Sequence, residues 1–250
     1  MTDTAKIIRL QEVDSTNEYM KRLYANGQVS NGQVVVAECQ IQGKGQMSKQ
    51  WVSEQGKNLL FTLFSKPQNN FNLSSGLKQT KEEFSFAISV SVLQLVEKLV
   101  PDQDVTIKWP NDVLVDGEKI AGILIENRLR GGVVEGCFAG VGLNVNQTNF
   151  QRFARGACSL KSILGYEVNV IDMASKLQEL IMLNLQSDPI DVKIDYESGL
   201  YKSGQEVPFL YKGKQELFTI IKVDQQGQLV VKKKSGGLLS LVMGEVKYLI

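Results

Sequence analysis

The sequence predicts an α+β protein: a mixed sheet with flanking helices over residues 1–202, then a small all-β unit over residues 203–250. Two observations carry this. Strand-like apolar runs are interleaved with segments of helical periodicity as far as Ser203-Gly204. Beyond that point the texture changes to short strand-like runs punctuated by Gly213, Gly227 and Gly236-Gly237, the spacing of a small barrel.

Lys6 to Leu10 reads as a short strand. Ser15 and Glu18 stand at capping-box spacing, so a helix is expected to begin there. Tyr19, Met20, Leu23 and Tyr24 give it an apolar face, and Asn26-Gly27 ends it. Ser15, Thr16 and Asn17 can be plain cap residues. A helix N-terminus also presents N–H groups and hydroxyls to a polar ligand, and both readings stand.

Gln33 to Cys39 reads as a buried strand around Val34-Val35-Val36. The following loop, Gln40 to Trp51, carries Gly43-Lys44-Gly45, Gln46 and Lys49. Two glycines can turn backbone N–H groups inward as an anion-binding nest, with Lys44 and Lys49 supplying charge. An ordinary surface loop fits the same residues. Trp51 can stack on a ring or anchor the loop.

Asn58 to Ser65 is a further strand, and residues 67–78 form a polar loop. From Lys81 to Val100, Phe84, Ala87, Ile88, Val92, Leu95, Val96 and Leu99 recur at helical spacing, and Pro101 stops the helix. Val105 to Trp109 then leads into a hairpin. Val113-Leu114-Val115 and Ile120 to Ile125 are its strands, and Asp116-Gly117 is a two-residue turn of the kind that needs positive φ. The simple register sets Val115 against Glu118, Leu114 against Lys119 and Asp112 against Ala121. Asp112, Leu114, Lys119 and Ala121 then share a face, with the Lys119 amine diagonal to Asp112 over the small Ala121 and Gly122. That face is a small-ligand site or an ordinary solvated hairpin.

Gly132 to Asn146 reads as a long strand with a glycine-rich end, Gly140-Val141-Gly142. Ser159 to Leu164, Val170 to Gln186 and Asp191 to Tyr201 read as helices. The second unit is expected to hold strands at Glu206 to Tyr211, Leu217 to Val223, Leu229 to Lys233, Leu238 to Met243 and Val246 to Ile250. Lys232-Lys233-Lys234 is a solvated strand end.

Composition removes several classes. The formal net charge of +1 advertises neither nucleic acid nor a membrane surface. No apolar run has the length of a membrane span and the N-terminus has no apolar signal core, so a cytoplasmic protein is expected. Three scattered cysteines, Cys39, Cys137 and Cys158, make neither a disulfide framework nor a zinc site. Histidine is absent, which removes Ser-His-Asp and Cys-His catalysis and any His-ligated metal.

Lys108-Trp109-Pro110-Asn111-Asp112 followed by Lys119-Ile120-Ala121-Gly122-Ile123-Leu124 resembles the central signature of the biotin protein ligases, Lys-Trp-Pro-Asn-Asp then Lys-x-Ala-Gly-Ile/Val-Leu. Ser15-Thr16-Asn17, the glycine loop, and Gly140-Val141-Gly142-Leu143-Asn144 extend the resemblance from about residue 6 to the C-terminus. The loop departs from the family's Gly-Arg-Gly-Arg/Gln-x-Gly: Lys44 stands for the first Arg and Ser48 for the third Gly. Lysine is a point charge without the bidentate fork of arginine.

The resemblance implies a biotin–lipoate ligase catalytic domain of class II synthetase-like fold with a small SH3-like domain. It implies activation of biotin with ATP to biotinyl-5′-AMP, and transfer to a lysine of a biotin carboxyl carrier domain. Ser15, Thr16, Asn17, Gln40 and Gly43 are then expected at biotin. Gly43, Lys44, Gly45, Gln46, Lys49, Trp51, Lys108 and Asn144 are expected at the nucleotide. Lys119, beside both biotin and phosphate, and Asn111 and Asp112 are expected at the reacting centre. Mg²⁺ is expected with ATP, held chiefly through phosphate oxygens and water. No DNA partner is expected, because the repressor members carry a winged helix ahead of the strand at which this chain begins. A sheet edge can serve a homodimer or the carrier. Two alternatives stay open: a lipoate or octanoyl ligase or transferase, of which the transferases use a Cys nucleophile or His motifs while this chain has no His, and a non-catalytic biotin-binding regulator.

Overall fold

The computed structural model describes residues 7–67, 80–131, 133–150 and 156–249. Seven strands, β1 (Ile7–Val13), β2 (Val34–Gln40), β3 (Leu59–Ser65), β4 (Val105–Lys108), β5 (Asp112–Val115), β6 (Glu118–Arg130) and β7 (Val133–Leu143), form one sheet in the order β1-β2-β3-β7-β6-β5-β4. β1 and β2 are parallel and every other neighbouring pair is antiparallel, so the sheet is mixed as expected.

Strand alternation gives the sheet two different faces. Helix α1 (Thr16–Ala25) lies on one, its Met20 packed with Val35, Phe64 and Phe138 of the sheet. The other face carries Val34, Val36, Phe61, Leu63, Ile123, Val141 and Leu143 and is covered by α2 (Lys81–Leu99), α4 (Val170–Asn184) and α5 (Pro189–Ser198). α2 is buried around most of its circumference, which its even mix of apolar residues allows. Its start is fixed by a capping box: the Thr80 hydroxyl accepts from Glu83 N, and Thr80 N donates to the Glu83 carboxylate. A short α3 (Leu160–Leu164) follows β7.

The second unit is a five-stranded antiparallel sheet of the SH3-like kind. It is built from β8 (Glu206–Tyr211), β9 (Lys214–Val223), β10 (Leu229–Lys233), β11 (Leu238–Leu241) and β12 (Val246–Tyr248), in the order β11-β10-β9-β8-β12. Its Val207, Phe209, Phe218, Ile220, Leu229 and Val231 belong to the same apolar cluster as α2 and α5. The indole Nε1 of buried Trp109 donates to the Gly227 carbonyl at 2.9 Å, tying the corner before β5 to the second sheet. Among the described residues no helix is long and apolar enough to cross a membrane. All three cysteines are free.

Several expectations change. β6 runs to Arg130, five residues beyond the expected end, because Glu126, Asn127 and Arg128 pair with β7 in spite of their polarity. The capping box of Ser15 and Glu18 does not form. Ser15 is the N-cap with extended backbone and no side-chain cap bond, while the Glu18 carboxylate pairs with Lys21 at 3.0 Å and Lys44 at 2.6 Å. Two ammonium groups outcompete one neutral N–H for that carboxylate. Lys6 and, after Pro67, the expected polar loop lie outside the described residues.

The hairpin turn has the expected chemistry, with φ of 50° at Asp116 and 83° at Gly117. Its register does not follow the simple reading. Val115 pairs with Glu118 and Leu114 with Lys119, but a bulge then shifts the ladder, so Val113 pairs with Ala121 and Asp112 with Gly122. Ala121 is therefore a core residue on the α2 face, and Gly122 takes the place expected of it beside Asp112.

Candidate functional site

A cavity of about 390 Å³ lies on the α1 face of the sheet, between the start of α1, the glycine loop, the β5–β6 hairpin, β7 and the C-terminal β12. Thirteen residues expected at a site line it: Ser15, Thr16, Asn17, Gln40, Lys44, Gly45, Gln46, Lys49, Trp51, Lys108, Asn111, Asp112 and Lys119.

The floor is made by absent side chains. Gly122 of β6 pairs directly with Gly142 of β7, and Gly140 stands two residues before it. A Cβ on Gly142 would run into the Trp51 indole. One on Gly122 would lie 2.9 Å from the same ring and 3.1 Å from the Lys119 amine, and one on Gly140 would strike the Asn17 carboxamide. These glycines serve close approach rather than unusual backbone angles. The Trp51 indole rests across the Gly122–Gly142 pair, with Lys119 Nζ 5.6 Å from its centre and its own N–H buried without a hydrogen-bond partner.

At one end the groups are neutral and hydrogen-bonded among themselves. Gln40 Oε1 accepts from Thr16 N at 2.8 Å and from the Thr16 hydroxyl at 3.0 Å. The Thr62 hydroxyl, fully buried on β3, donates to Asn17 Oδ1 at 2.6 Å and lies 2.8 Å from Thr16 Oγ1. Asn17 Nδ2 donates to Glu126 at 2.9 Å. Among the described residues this leaves the Ser15 hydroxyl, Gln40 Nε2 and one Asn17 N–H free to serve a ligand. Such a set suits a neutral ring bearing a carbonyl and N–H groups.

The other end is cationic. Lys49, Lys108, Lys119 and Lys247 line it, and Lys44 lines the cavity from the glycine loop with its amine on Glu18, against Asp112 as the one carboxylate of the lining among the described residues. Lys119 Nζ is 2.5 Å from Asp112 Oδ1, the diagonal pair expected of this hairpin. Burial holds the Lys108 ammonium below its ordinary value; Asp112 opposes that shift, and Lys119 and Lys49 reinforce it. Lys108 also stands 5.0 Å from the centre of the Tyr248 ring, on β12. A field of this sign favours an anionic ligand.

The glycine loop does not turn its N–H groups inward as a nest, one of the two readings its residues allow. Gly45 is extended, at φ −124° and ψ −178°, and its N–H donates to Lys49 O at 2.7 Å. The positive φ falls on Met47, at 55°. Gly43 is buried outside the cavity lining, and its lack of a side chain admits the Trp51 carbonyl while its own carbonyl accepts from Trp51 N at 3.0 Å. Gly43 therefore positions Trp51.

Asn144 also lies outside the lining. It is 5% exposed, and its Nδ2 donates to Cys158 O at 3.0 Å and Lys119 O at 3.4 Å while its backbone N donates to Ile120 O. It clasps β6 and the approach to α3 to the end of β7. Asn111 faces the cavity, but its Nδ2 is bound to Ile123 O at 2.6 Å, so it braces β6. Sequence reasoning missed Thr62, Glu126, Lys247 and Tyr248. The first two sit in unremarkable strand contexts, and the last two reach the cavity only through the docking of the second sheet.

Comparison with known proteins places these features in a family. A family model described as the biotin/lipoate A/B protein ligase family matches residues 9–144, more than half of the 250 residues, and that span holds most of the cavity. The chain is 32% identical over 136 residues to the bifunctional ligase/repressor BirA of Bacillus subtilis, covering 54% of this chain and 39% of that protein. It spans about two fifths of the length of the BirA proteins it matches. It is 28% identical over 230 residues to the biotin–[acetyl-CoA-carboxylase] ligase of Mycobacterium tuberculosis, covering 87% and 80% of the two chains. Its fold is similar to that of the biotin protein ligase from Aquifex aeolicus in complex with biotin and ATP, with a TM-score of 0.77, 24% identity and coverage of 97% and 98%. By its matched span, its sheet and the cavity on that sheet, the chain belongs to the biotin/lipoate A/B protein ligase family.

Proposed function

We propose that the protein is a biotin protein ligase of the cytoplasm, which activates biotin with ATP and transfers it to a lysine of a biotin carboxyl carrier domain. The observation that carries this reading is the polarity of the cavity on the α1 face. Neutral donors stand at Ser15, Asn17 and Gln40, Lys49, Lys108 and Lys247 stand at the other end, and the Lys119–Asp112 pair lies between them over bare glycine. Biotin has the matching polarity: a neutral ureido ring, an apolar chain and a terminal carboxylate. The sequence relatives whose names are biotin ligases support the same choice.

In the first step a biotin carboxylate oxygen attacks the α-phosphorus of ATP. The new oxygen–phosphorus bond displaces pyrophosphate. Two anions must approach each other, and the Lys119 ammonium is the group to screen them, with Lys108, Lys44 and Lys49 for the remaining phosphate charge. In the second step the carrier's neutral lysine amine attacks the acyl carbon, AMP leaves and the amine loses a proton. Asp112, held on Lys119, orients that ammonium. Mg²⁺ fits only as a companion of the nucleotide. Among the described residues no cluster of three acidic, Cys or His groups is present, and Asp112 is engaged, so the ion would be held through phosphate oxygens and water.

The test is ATP–pyrophosphate exchange measured with biotin, with lipoate and with neither. Exchange dependent on biotin is expected. Exchange that requires lipoate instead would move the protein to the other branch of the family, and ligand binding without exchange would make it a regulator.

A further inference from the structure

We propose that Glu18 is a positioning residue that competes with the anionic ligand for Lys44, holding that amine at the neutral end of the cavity until the ligand's negative charge draws it away. The proposal rests on the reading of the cavity as a nucleotide site, and only on the ligand there being anionic.

Three observations support it. Lys44 lines the cavity, yet its Nζ is 2.6 Å from Glu18 Oε1, on the first turn of α1, where the carboxylate was expected to cap the helix. Glu18 Oε1 also receives Lys21 Nζ at 3.0 Å, and Lys21 in turn reaches Glu126 at 2.7 Å. Departure of Lys44 therefore leaves the Glu18 carboxylate still paired, so the second state strands no anion. Lys44 remains about half exposed, at 48%, so its pair is of the weak, screened kind that a multiply charged ligand can displace. Glu126 also accepts from Asn17 Nδ2, which makes the chain of contacts from the neutral pocket to Lys44 continuous.

An exposed pair of this kind shifts an equilibrium by about fivefold at most, and the fraction of Lys44 already released scales the apparent affinity. Glu18 thus sets affinity through Lys44 without touching the ligand.

The experiment is calorimetric titration of ATP, and separately of inorganic triphosphate, into the wild type, Glu18→Gln, Glu18→Asp, Lys44→Met and the Glu18→Gln/Lys44→Met double variant. Removing the competitor is expected to tighten binding about two- to fivefold, the scale of an exposed ion pair. Glu18→Asp, which keeps the charge, should stay near wild type, and Lys44→Met should bind more weakly. In the Lys44→Met background Glu18→Gln should change nothing, an outcome that a general electrostatic or structural effect would not give. Equal or weaker binding by Glu18→Gln, or the same gain without Lys44, overturns the proposal. Nucleotide binding without biotin-dependent exchange would remove the ligase reading and leave this one to its own data. Failure of the wild type to bind either probe overturns both.

Discussion

The Lys119 ammonium meets the Asp112 carboxylate over bare backbone because Ile120 is one residue too many for the β5–β6 ladder. Without the bulge, Asp112 would oppose Ala121, and the floor beneath the pair would carry a methyl group. With it, Ile120 and Ala121 both turn to the core and Gly122 comes opposite Asp112. A local irregularity thus clears the floor beneath the two charged groups closest to the proposed chemistry.

Lys119→Ala should therefore abolish most biotin-dependent pyrophosphate exchange. Loss of one preorganised charge costs on the order of 2–4 kcal/mol, about thirtyfold to a thousandfold in rate. The side chain is 37% exposed, so no apolar cavity opens and the variant should remain folded. A folded variant that exchanges pyrophosphate at the wild-type rate would place the chemistry on another residue.

Gly142→Ala tests the floor. Its new methyl meets the Trp51 ring, so the indole must leave its seat or the strand must shift. Overpacking of this kind costs about 1–3 kcal/mol. We expect roughly tenfold weaker biotin binding by calorimetry, by the same conversion of free energy to affinity, with altered tryptophan emission in the unliganded protein. Unchanged affinity together with unchanged emission would show that the ring does not depend on the missing side chain.

Asn144→Ala should damage stability first and activity through it. It removes a buried carboxamide and strands the Cys158 carbonyl, a loss of about 1–3 kcal/mol. Urea denaturation measures this directly. Weakened nucleotide binding with full stability would instead put Asn144 on the ligand, as the family resemblance implied.

Lys108 predicts a pH dependence. Burial, the largest cause, depresses its folded-state value below the ordinary 10.5. Between those two values the unfolded chain holds the proton and the folded protein has released it. This group's contribution to stability therefore rises with pH across that window. Ligand binding moves the other way, because the cavity loses a positive charge as pH climbs through the depressed value. ATP affinity should fall on the alkaline side, and Lys108→Arg, which stays charged, should push that fall to higher pH. Superimposable affinity profiles for the two proteins would rule Lys108 out as the titrating group.

Much of this was legible because local chemistry agreed with the fold. Asp116-Gly117 demands a two-residue turn, and Pro101 can only end a helix, so the hairpin and α2 follow from a few residues each. The bulge was hidden because Lys119-Ile120-Ala121-Gly122 carries no break in its pattern. Which residue becomes the extra one is settled by core packing across β7. Glu18 misled for a related reason: capping is a local rule, and Lys44, 26 positions away, overrode it. Tyr248 and Lys247 belong to the cavity only because the second sheet shares one core with the first, a tertiary fact with no local signature.

Gly122, Gly140 and Gly142 also shape what the gene can explore. At these three positions every substitution adds atoms where the space is already claimed, by Trp51, by Lys119 and by Asn17. Sequence drift there acts as a one-way valve that can narrow the chamber and never enlarge it. A search for variants that accept bulkier acids should leave the glycines alone and shorten the residues standing over them, with Trp51 first.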